Sequence, residues 1–268
     1  MTDLLQGLLD DLAAEGDQLR STVDRLGPDG WTAPTPASGW TVATQIAHLL
    51  WTDEAAAVAA RSHESAEAKQ AWDDIMLAAI ADPTGYVDAD AFELAARPRD
   101  EVLDRWAASR ESVRSALTAL PAGQRMPWFG PPMSAASMAT ARFMETWAHG
   151  LDVYDAADAR PEPTDRIRHV AYLGVRTRDY AYSVHAEDPP AEEFRVELTA
   201  PSGQLWAWGP EDAAQRVTGP AYDFCLLVTQ RVNRADTDLV AVGDDAEHWL
   251  GIAQAFAGPP GPGREASS

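Results

Sequence analysis

Along this chain the spacing of apolar residues changes its period once, and that change limits the available folds more than any other feature. Between residues 4 and 26, Leu4, Leu5, Leu8, Leu12, Leu19, Val23 and Leu26 recur at intervals of three, four and seven, the repeat of one face of an amphipathic helix. Gly27-Pro28-Asp29-Gly30 stops it. Thr41 is placed to cap a second helix over 41–61, a third spans 99–120 and ends at Pro121, and Ser134 or Ser137 caps a fourth running to about 157. Between the second and third, residues 64–97 read as shorter helical pieces broken at Pro83-Thr84-Gly85 and Pro98. Pro161 and Pro163 form a joint, one more helix follows over 165–184, and Pro189-Pro190 closes the helical part. The period then becomes two. Phe194-Arg195-Val196-Glu197-Leu198-Thr199 alternates apolar and polar, Pro201-Ser202-Gly203 turns, and Gln204-Leu205-Trp206-Ala207-Trp208 continues, which predicts a hairpin. Further strands are expected at 214–217 and 239–242, with helices over 222–232 and 246–256.

This pattern predicts an α+β protein: a four-helix bundle followed by a smaller α+β part. The boundary falls within 158–190, giving a helical bundle at 1–160, a linking helix with an α+β domain at 161–257, and a Pro/Gly-rich disordered tail at 258–268. A length of 268 residues suits one large or two modest domains, and 46% hydrophobic residues with ten Trp are enough to bury a core. Forty-two acidic against 21 basic side chains leave a net charge of -21. Such a field repels phosphate backbones and anionic lipid, so neither nucleic acid nor a membrane surface is expected as a partner. No run approaches 18 apolar residues and no signal peptide is evident at the start. The single cysteine, Cys225, lies in the apolar run Phe224-Cys225-Leu226-Leu227-Val228 and reads as a core residue, which points to the cytoplasm.

The most informative polar feature is Glu145-Thr-Trp-Ala-His149 in the fourth long helix. Side chains four apart on a helix lie one above the other, so this carboxylate and imidazole can share a cation. A solvated Glu/His pair has the same spacing, and an open divalent site needs a third ligand. His63, His169, His185 and His248 all lie among polar or charged neighbours or on a helix surface. His48 stands apart, because its helix is nearly uncharged from Thr41 to Thr52, which favours burial either as a core histidine or in an internal site.

Two segments together carry a resemblance. Gly39-Trp40-Thr41-Val42-Ala43-Thr44-Gln45-Ile46-Ala47-His48-Leu49 and Ala141-Arg142-Phe143-Met144-Glu145-Thr146-Trp147-Ala148-His149-Gly150-Leu151-Asp152 are similar to the paired signature of the mycothiol-dependent maleylpyruvate isomerase family, among the DinB-like metal-binding helical bundles. Trp128-Phe129-Gly130-Pro131-Pro132-Met133-Ser134 resembles a metal-binding subgroup of that family. The resemblance implies a DinB-like bundle with a sterol-carrier-like C-terminal domain. It also implies a zinc-like divalent ion on His48, Glu145 and His149, with a position left for substrate or thiol. Asp152, three residues past His149, is a candidate acceptor for the distal N–H of a ligand imidazole, or else a solvated carboxylate.

A zinc ion stabilises a thiolate at neutral pH. Cys225 cannot supply that thiol from an apolar run, so the resemblance implies an external cosubstrate, mycothiol. In the isomerase reaction of the family, the thiolate adds to a cis enedioate, the new single bond rotates, and elimination returns the trans isomer. An anionic substrate calls for an arginine fork. Arg231, in Gln230-Arg231-Val-Asn-Arg234, matches an arginine that the family directs to its active site and is preferred over Arg234; an ordinary ion pair is its other reading. Arg142 can pair with Glu145 or with substrate. The expected function is therefore a metal-dependent isomerase or transferase acting with mycothiol on a small, anionic molecule, as a monomer or homodimer. Two other readings fit the same residues: a thiol-independent metal-dependent hydrolase, isomerase or cyclase, and a non-enzymatic ligand-binding protein.

Overall fold

The computed structural model describes residues 2–82, 85–258, 261 and 263–267. The chain divides into two compact units, Met1–Arg160 and Pro161–Ser268.

In the first unit, α1 (Thr2–Asp24) is followed by a single turn, α2 (Pro28–Trp31), and then by α3 (Val42–Arg61), α4 (Ala66–Ala81), α5 (Tyr86–Ala95), α6 (Arg99–Ala119) and α7 (Ala135–Ala156). The four long helices close a ring: α1 packs on α7, α7 on α3, α3 on α6 and α6 on α1. Their starts are set locally. Thr41 Oγ1 accepts the Thr44 N–H at 3.3 Å, and of the two serines before α7 it is Ser134 that caps, accepting the Ser137 N–H at 3.1 Å. A cap of this kind contributes about 1 kcal/mol. Helix α6 buries Val102, Leu103, Trp106, Val113, Ala116 and Leu117 along one stripe, as a bundle helix does when its other face meets water. The first apolar position of the expected α1 face, Leu4, is instead 64% exposed, because the buried stripe begins only at Leu8 and Leu9.

Helices α3 and α7 differ from their neighbours in being buried nearly all round, α3 from Val42 without interruption to Asp53. Two apolar clusters lie along them. One gathers Leu8, Leu9, Ala56, Ala57, Leu117, Met138 and Ala139; the other gathers Leu19, Val23, Ile46, Leu49, Leu50, Trp106, Val153 and Tyr154. The stretch of α7 between them, from Arg142 to Asp152, is where the polar residues fall.

The second unit opens with a 3-10 turn at Asp165–Ile167, then α8 (Arg168–Arg176) and α9 (Arg178–Val184). This breaks the single helix expected over 165–184. Its centre is interrupted at Thr177, whose hydroxyl bonds back to the Leu173 carbonyl at 3.0 Å and reaches the Gln254 carbonyl at 2.7 Å, a side-chain competition that bends helices. Strands β1 (Arg195–Thr199), β2 (Leu205–Trp208) and β3 (Arg216–Pro220) come next, then α10 (Ala221–Val228), β4 (Val240–Val242) and α11 (Asp244–Ile252). The sheet order is β2-β1-β3-β4, with the β1/β2 hairpin antiparallel, β1/β3 parallel and β3/β4 antiparallel. Val196, Leu198, Trp206 and Val217 form its buried face.

The third strand starts two residues later than expected and runs through Gly219, opposite Leu198. Gly219 has φ +146, and a Cβ there would lie 2.9 Å from the Asp238 carbonyl oxygen, so the strand tolerates only glycine at that point. The expected helix over 222–232 ends at Val228. Gln230 takes φ +58, its N–H bonds to the Leu227 carbonyl and the Arg231 N–H to the Leu226 carbonyl, a left-handed C-terminal cap that turns the chain out of the helix before Arg231. Helix α11 begins and ends earlier than expected, starting with Asp244, Asp245 and Glu247, which favour a helix N-terminus. In the tail expected to be disordered, Pro259, Pro260, Pro262 and Ser268 lie outside the described residues. Of the others, Gly258 donates to the Tyr180 hydroxyl, Gly261 to Gln230 Oε1, and Arg264 accepts from Asn233.

Candidate metal centre

Helix α7 carries Arg142, Glu145, His149 and Asp152 at intervals of three, four and three, so all four lie on one stripe. Helix α3 runs past it in the opposite sense. Its residues Asp53, His48 and Gln45 meet the α7 residues in reverse order: Arg142 with Asp53, Glu145 with His48, His149 with Gln45, and Asp152 with Gln45. The result is a polar seam laid between two apolar clusters.

His48, Glu145 and His149 come together at the middle of this seam, with one potential ligand atom from each lying within 4.8 Å of the others. Glu145 Oε2 is 3.2 Å from His149 Nε2 and 3.5 Å from His48 Nε2. Ligands about 2.1 Å from a tetrahedral ion stand roughly 3.4 Å apart, so these separations fit a shared divalent cation. The donor set also fits: two imidazole nitrogens and one carboxylate are ligands that zinc-class ions take, with a coordination position to spare. The side chains of His48, His149 and Glu145 remain 10%, 16% and 24% exposed, so the centre is sunk in the bundle and still open on one side. Burial works to raise the Glu145 carboxyl, but the hydrogen bonds and charges of His149 and His48 prevail and hold it well below the usual carboxylate range.

One aromatic ring lies against both imidazoles, and others pack in the loop before α7. Trp40, just before α3, lies nearly parallel to the His149 ring with centroids 5.8 Å apart, and its centroid is 5.4 Å from that of His48. Phe129, in the stiff loop before α7, stacks on Trp51 at 6.0 Å, while Trp128 stacks on Trp72 at 5.8 Å and packs, half-buried, against the first apolar cluster.

Other sequence candidates separate cleanly. Arg142 pairs neither with Glu145 nor with an open pocket: its Nε donates to Asp53 Oδ1 at 2.8 Å, and both side chains are almost wholly buried. Burial pushes the Asp53 carboxyl up, against the opposing pull of Arg142. Asp152 Oδ2 accepts from Gln45 Nε2 at 3.4 Å, and it is Gln45 Oε1 that lies 2.5 Å from His149 Nδ1. Arg231 sits in the second unit just past α10, where its Nη1 donates to the Thr229 carbonyl at 2.6 Å. Arg234 meets Glu247 at 3.3 Å. His63, His185 and His248 are exposed, and His248 pairs with Glu187. Cys225 is buried, and burial pushes its thiol well above the usual range.

Gln45 and Asp53 escape a reading of the sequence alone. Both are uncharged or singly charged polar residues on a helix that otherwise buries apolar groups; Gln45 lies three residues before His48, the spacing that puts it on the same face. That spacing is the signal that points to it.

Residues 12–154 match the family profile "Mycothiol maleylpyruvate isomerase N-terminal domain", and residues 190–242 match a second profile, "Wyosine base formation". Two proteins of Mycobacterium tuberculosis, from two strains and both described as uncharacterized, are 56% identical over 254 residues, covering 95% of this chain and 96% of theirs. Among solved structures, the mycothiol-dependent maleylpyruvate isomerase matches with a TM-score of 0.57 at 15% identity, over 88% of this chain and 92% of that one. A histidine-to-alanine variant of that enzyme matches with the same TM-score at 14% identity. At such identities the structural likeness speaks for the fold, and the profile, which spans more than half of the chain, speaks for descent: this chain belongs to the mycothiol maleylpyruvate isomerase N-terminal domain family.

Proposed function

We propose that this protein is a divalent-metal-dependent enzyme, an isomerase or transferase, that takes mycothiol as an external thiol and acts on a small anionic molecule. The observation that carries the reading is the convergence of His48, Glu145 and His149 from two helices on one point of a polar seam between two apolar clusters. Three ionisable groups interrupting a core are costly unless a cation or a reaction employs them. A divalent ion held there, zinc by the donor set, supplies a thiolate at neutral pH from any thiol that reaches it.

The chain's own residues do the rest. His48 and Glu145 anchor the site from facing helices, and His149, braced on one side by the Trp40 ring, completes it. The Trp40 ring against both imidazoles limits water on that side and so strengthens electrostatic interactions there. The thiol must come from outside, because Cys225 is buried and held protonated. Arg231 is assigned to the anionic group of the substrate, where a guanidinium gives a planar two-pronged contact.

Metal analysis of the purified protein, followed by calorimetric titration of mycothiol and of a simple neutral thiol into metal-loaded and chelator-stripped protein, tests this reading. The expected result is one bound divalent ion per chain and mycothiol binding that needs it. A protein that carries the ion and ignores both thiols is instead a thiol-independent hydrolase, isomerase or cyclase. One that takes no divalent ion refutes the metal centre itself.

A further inference from the structure

The polar chain behind His149 sets the orientation of the Gln45 amide. Thr35 Oγ1 donates to the Trp40 carbonyl at 3.1 Å, which leaves the oxygen lone pairs to accept from Gln45 Nε2 at 3.0 Å. The same Nε2 points at Asp152 Oδ2, and a carboxylate offers only acceptors. The amide of Gln45 is therefore oriented with its N–H2 toward Thr35 and Asp152 and its Oε1 toward His149. Because Oε1 can only accept, His149 Nδ1 must be the donor across the contact between them. The neutral ring is thus the tautomer with its proton on Nδ1, and the Nε2 lone pair is turned toward Glu145 Oε2 at 3.2 Å. A lone pair facing a carboxylate oxygen at that distance is unfavourable unless a cation lies between them, a proton on Nε2 in the metal-free protein and a metal ion in the loaded one.

We propose that Gln45, aligned by Thr35 and Asp152, is a positioning residue that locks His149 in the cation-binding tautomer and so sets the affinity of the centre for a divalent ion. This rests on the metal reading above, which it deepens. The brace is anchored in the loop ahead of α3. There Trp40 and Thr35 are joined by a backbone hydrogen bond, Thr35 N–H to the Trp40 carbonyl at 2.8 Å, and Trp40 lays its ring on His149. One short segment thus holds the imidazole by its face and, through Gln45, by its edge. Gln45 is fully buried and Asp152 is 1% exposed, so water cannot readily replace the amide as acceptor.

The test uses the full chain and two readouts. Zinc affinity is measured by chelator competition for wild type, for Gln45→Leu, and for Gln45→Glu combined with Asp152→Asn. The double change exchanges carboxylate and amide while keeping an acceptor for His149 Nδ1–H and a donor behind it. Loss of an outer-shell partner typically weakens metal binding about 10- to 100-fold, the fall expected for Gln45→Leu, with recovery to within about threefold in the double variant. The second readout, nitrogen-15 ring spectra of His149 in the metal-free protein at a pH where the ring is neutral, is independent of any ion: Nδ1–H is expected in wild type and a tautomer mixture in Gln45→Leu. Neutral-ring spectra of wild type showing Nε2–H in place of Nδ1–H, or unchanged spectra and affinity in Gln45→Leu, overturn the proposal. If Gln45→Leu does not fold, the wild-type spectrum and the double variant still decide. If wild type binds no zinc, the metal reading fails while the spectra continue to judge the role of Gln45.

Discussion

The Asp53–Arg142 pair lies at the end of the polar seam, and changing it separates two ways in which burial and charge combine. Arg142 Nε and Asp53 Oδ1 are 2.8 Å apart, and the side chains are 2% and 5% exposed. Arg142→Met keeps the length of the side chain and removes its charge, stranding the Asp53 carboxylate in the core. Breaking a buried pair from one side costs about 3–5 kcal/mol, a large share of the 5–15 kcal/mol that holds a typical domain together. For a unit of this size that corresponds to a fall in Tm of roughly 6–20 °C. Replacing both partners, Arg142→Met with Asp53→Leu, removes the stranded charge as well and is expected to regain most of the loss, because apolar substitutes for a buried pair are often neutral or stabilising by about 1–4 kcal/mol. The single-site cost also depends on pH. Burial already pushes the Asp53 carboxyl up, and Arg142, which opposes that, is gone in the variant. A carboxyl whose folded value is raised favours folding below its unfolded value and loses that contribution as pH rises through the folded one, so the penalty grows from acid toward neutrality. Urea unfolding followed by far-ultraviolet circular dichroism, with chelator present, measures all three proteins across pH. Additive effects in the double variant, or a single-site cost below about 1 kcal/mol, would show that the pair is not the desolvated unit described here.

His149→Ala is expected to abolish divalent-ion binding while leaving helical circular dichroism nearly unchanged, since the two apolar clusters pack without it; a matching loss of helix would make the ion structural. Arg231→Ala should cut kcat/KM on an identified substrate by the equivalent of roughly 1.5–3 kcal/mol with metal content intact, and Arg231→Lys should restore only part, an ammonium lacking the planar fork; unchanged kinetics would return Arg231 to a structural role. In the metal-free protein the imidazoles hold Glu145 well below the usual carboxylate range against its burial, so Glu145 contributes stability above the unfolded value and loses it as pH falls through the folded one. The stability profiles of wild type and Glu145→Gln should therefore converge in acid, and a constant gap down to the acid limit would contradict that coupling.

Much of the bundle could be read from the chain because helix formation is local. The apolar stripes, the Thr41 cap, the prolines before α6 and after it, and the change of period near residue 194 all act within a few residues of where they stand, and the structure places α3, α6, α7 and the β1/β2 hairpin close to where they were expected. The family resemblance singled out His48, which spacing alone left open between a core histidine and a site, and the structure brings it beside Glu145 and His149. The second unit was less legible where distant partners intervene: Thr177 breaks a helix by reaching Gln254, and Gly219 stays in a strand because Asp238 and Leu239 crowd it.

What the sequence determined by itself is where the four long helices of the bundle form and that Glu145 and His149 share a face, because a period of 3.6 residues needs no partner to be expressed. What only the tertiary structure decided is the antiparallel pairing of α3 with α7. That pairing gives Arg142 to Asp53 rather than to Glu145, puts Gln45 between His149 and Asp152, and brings His48 to Glu145. These contacts join residues about a hundred positions apart, and a hydrogen bond, which acts over about 3 Å, exists for them only once packing has chosen which helix faces which.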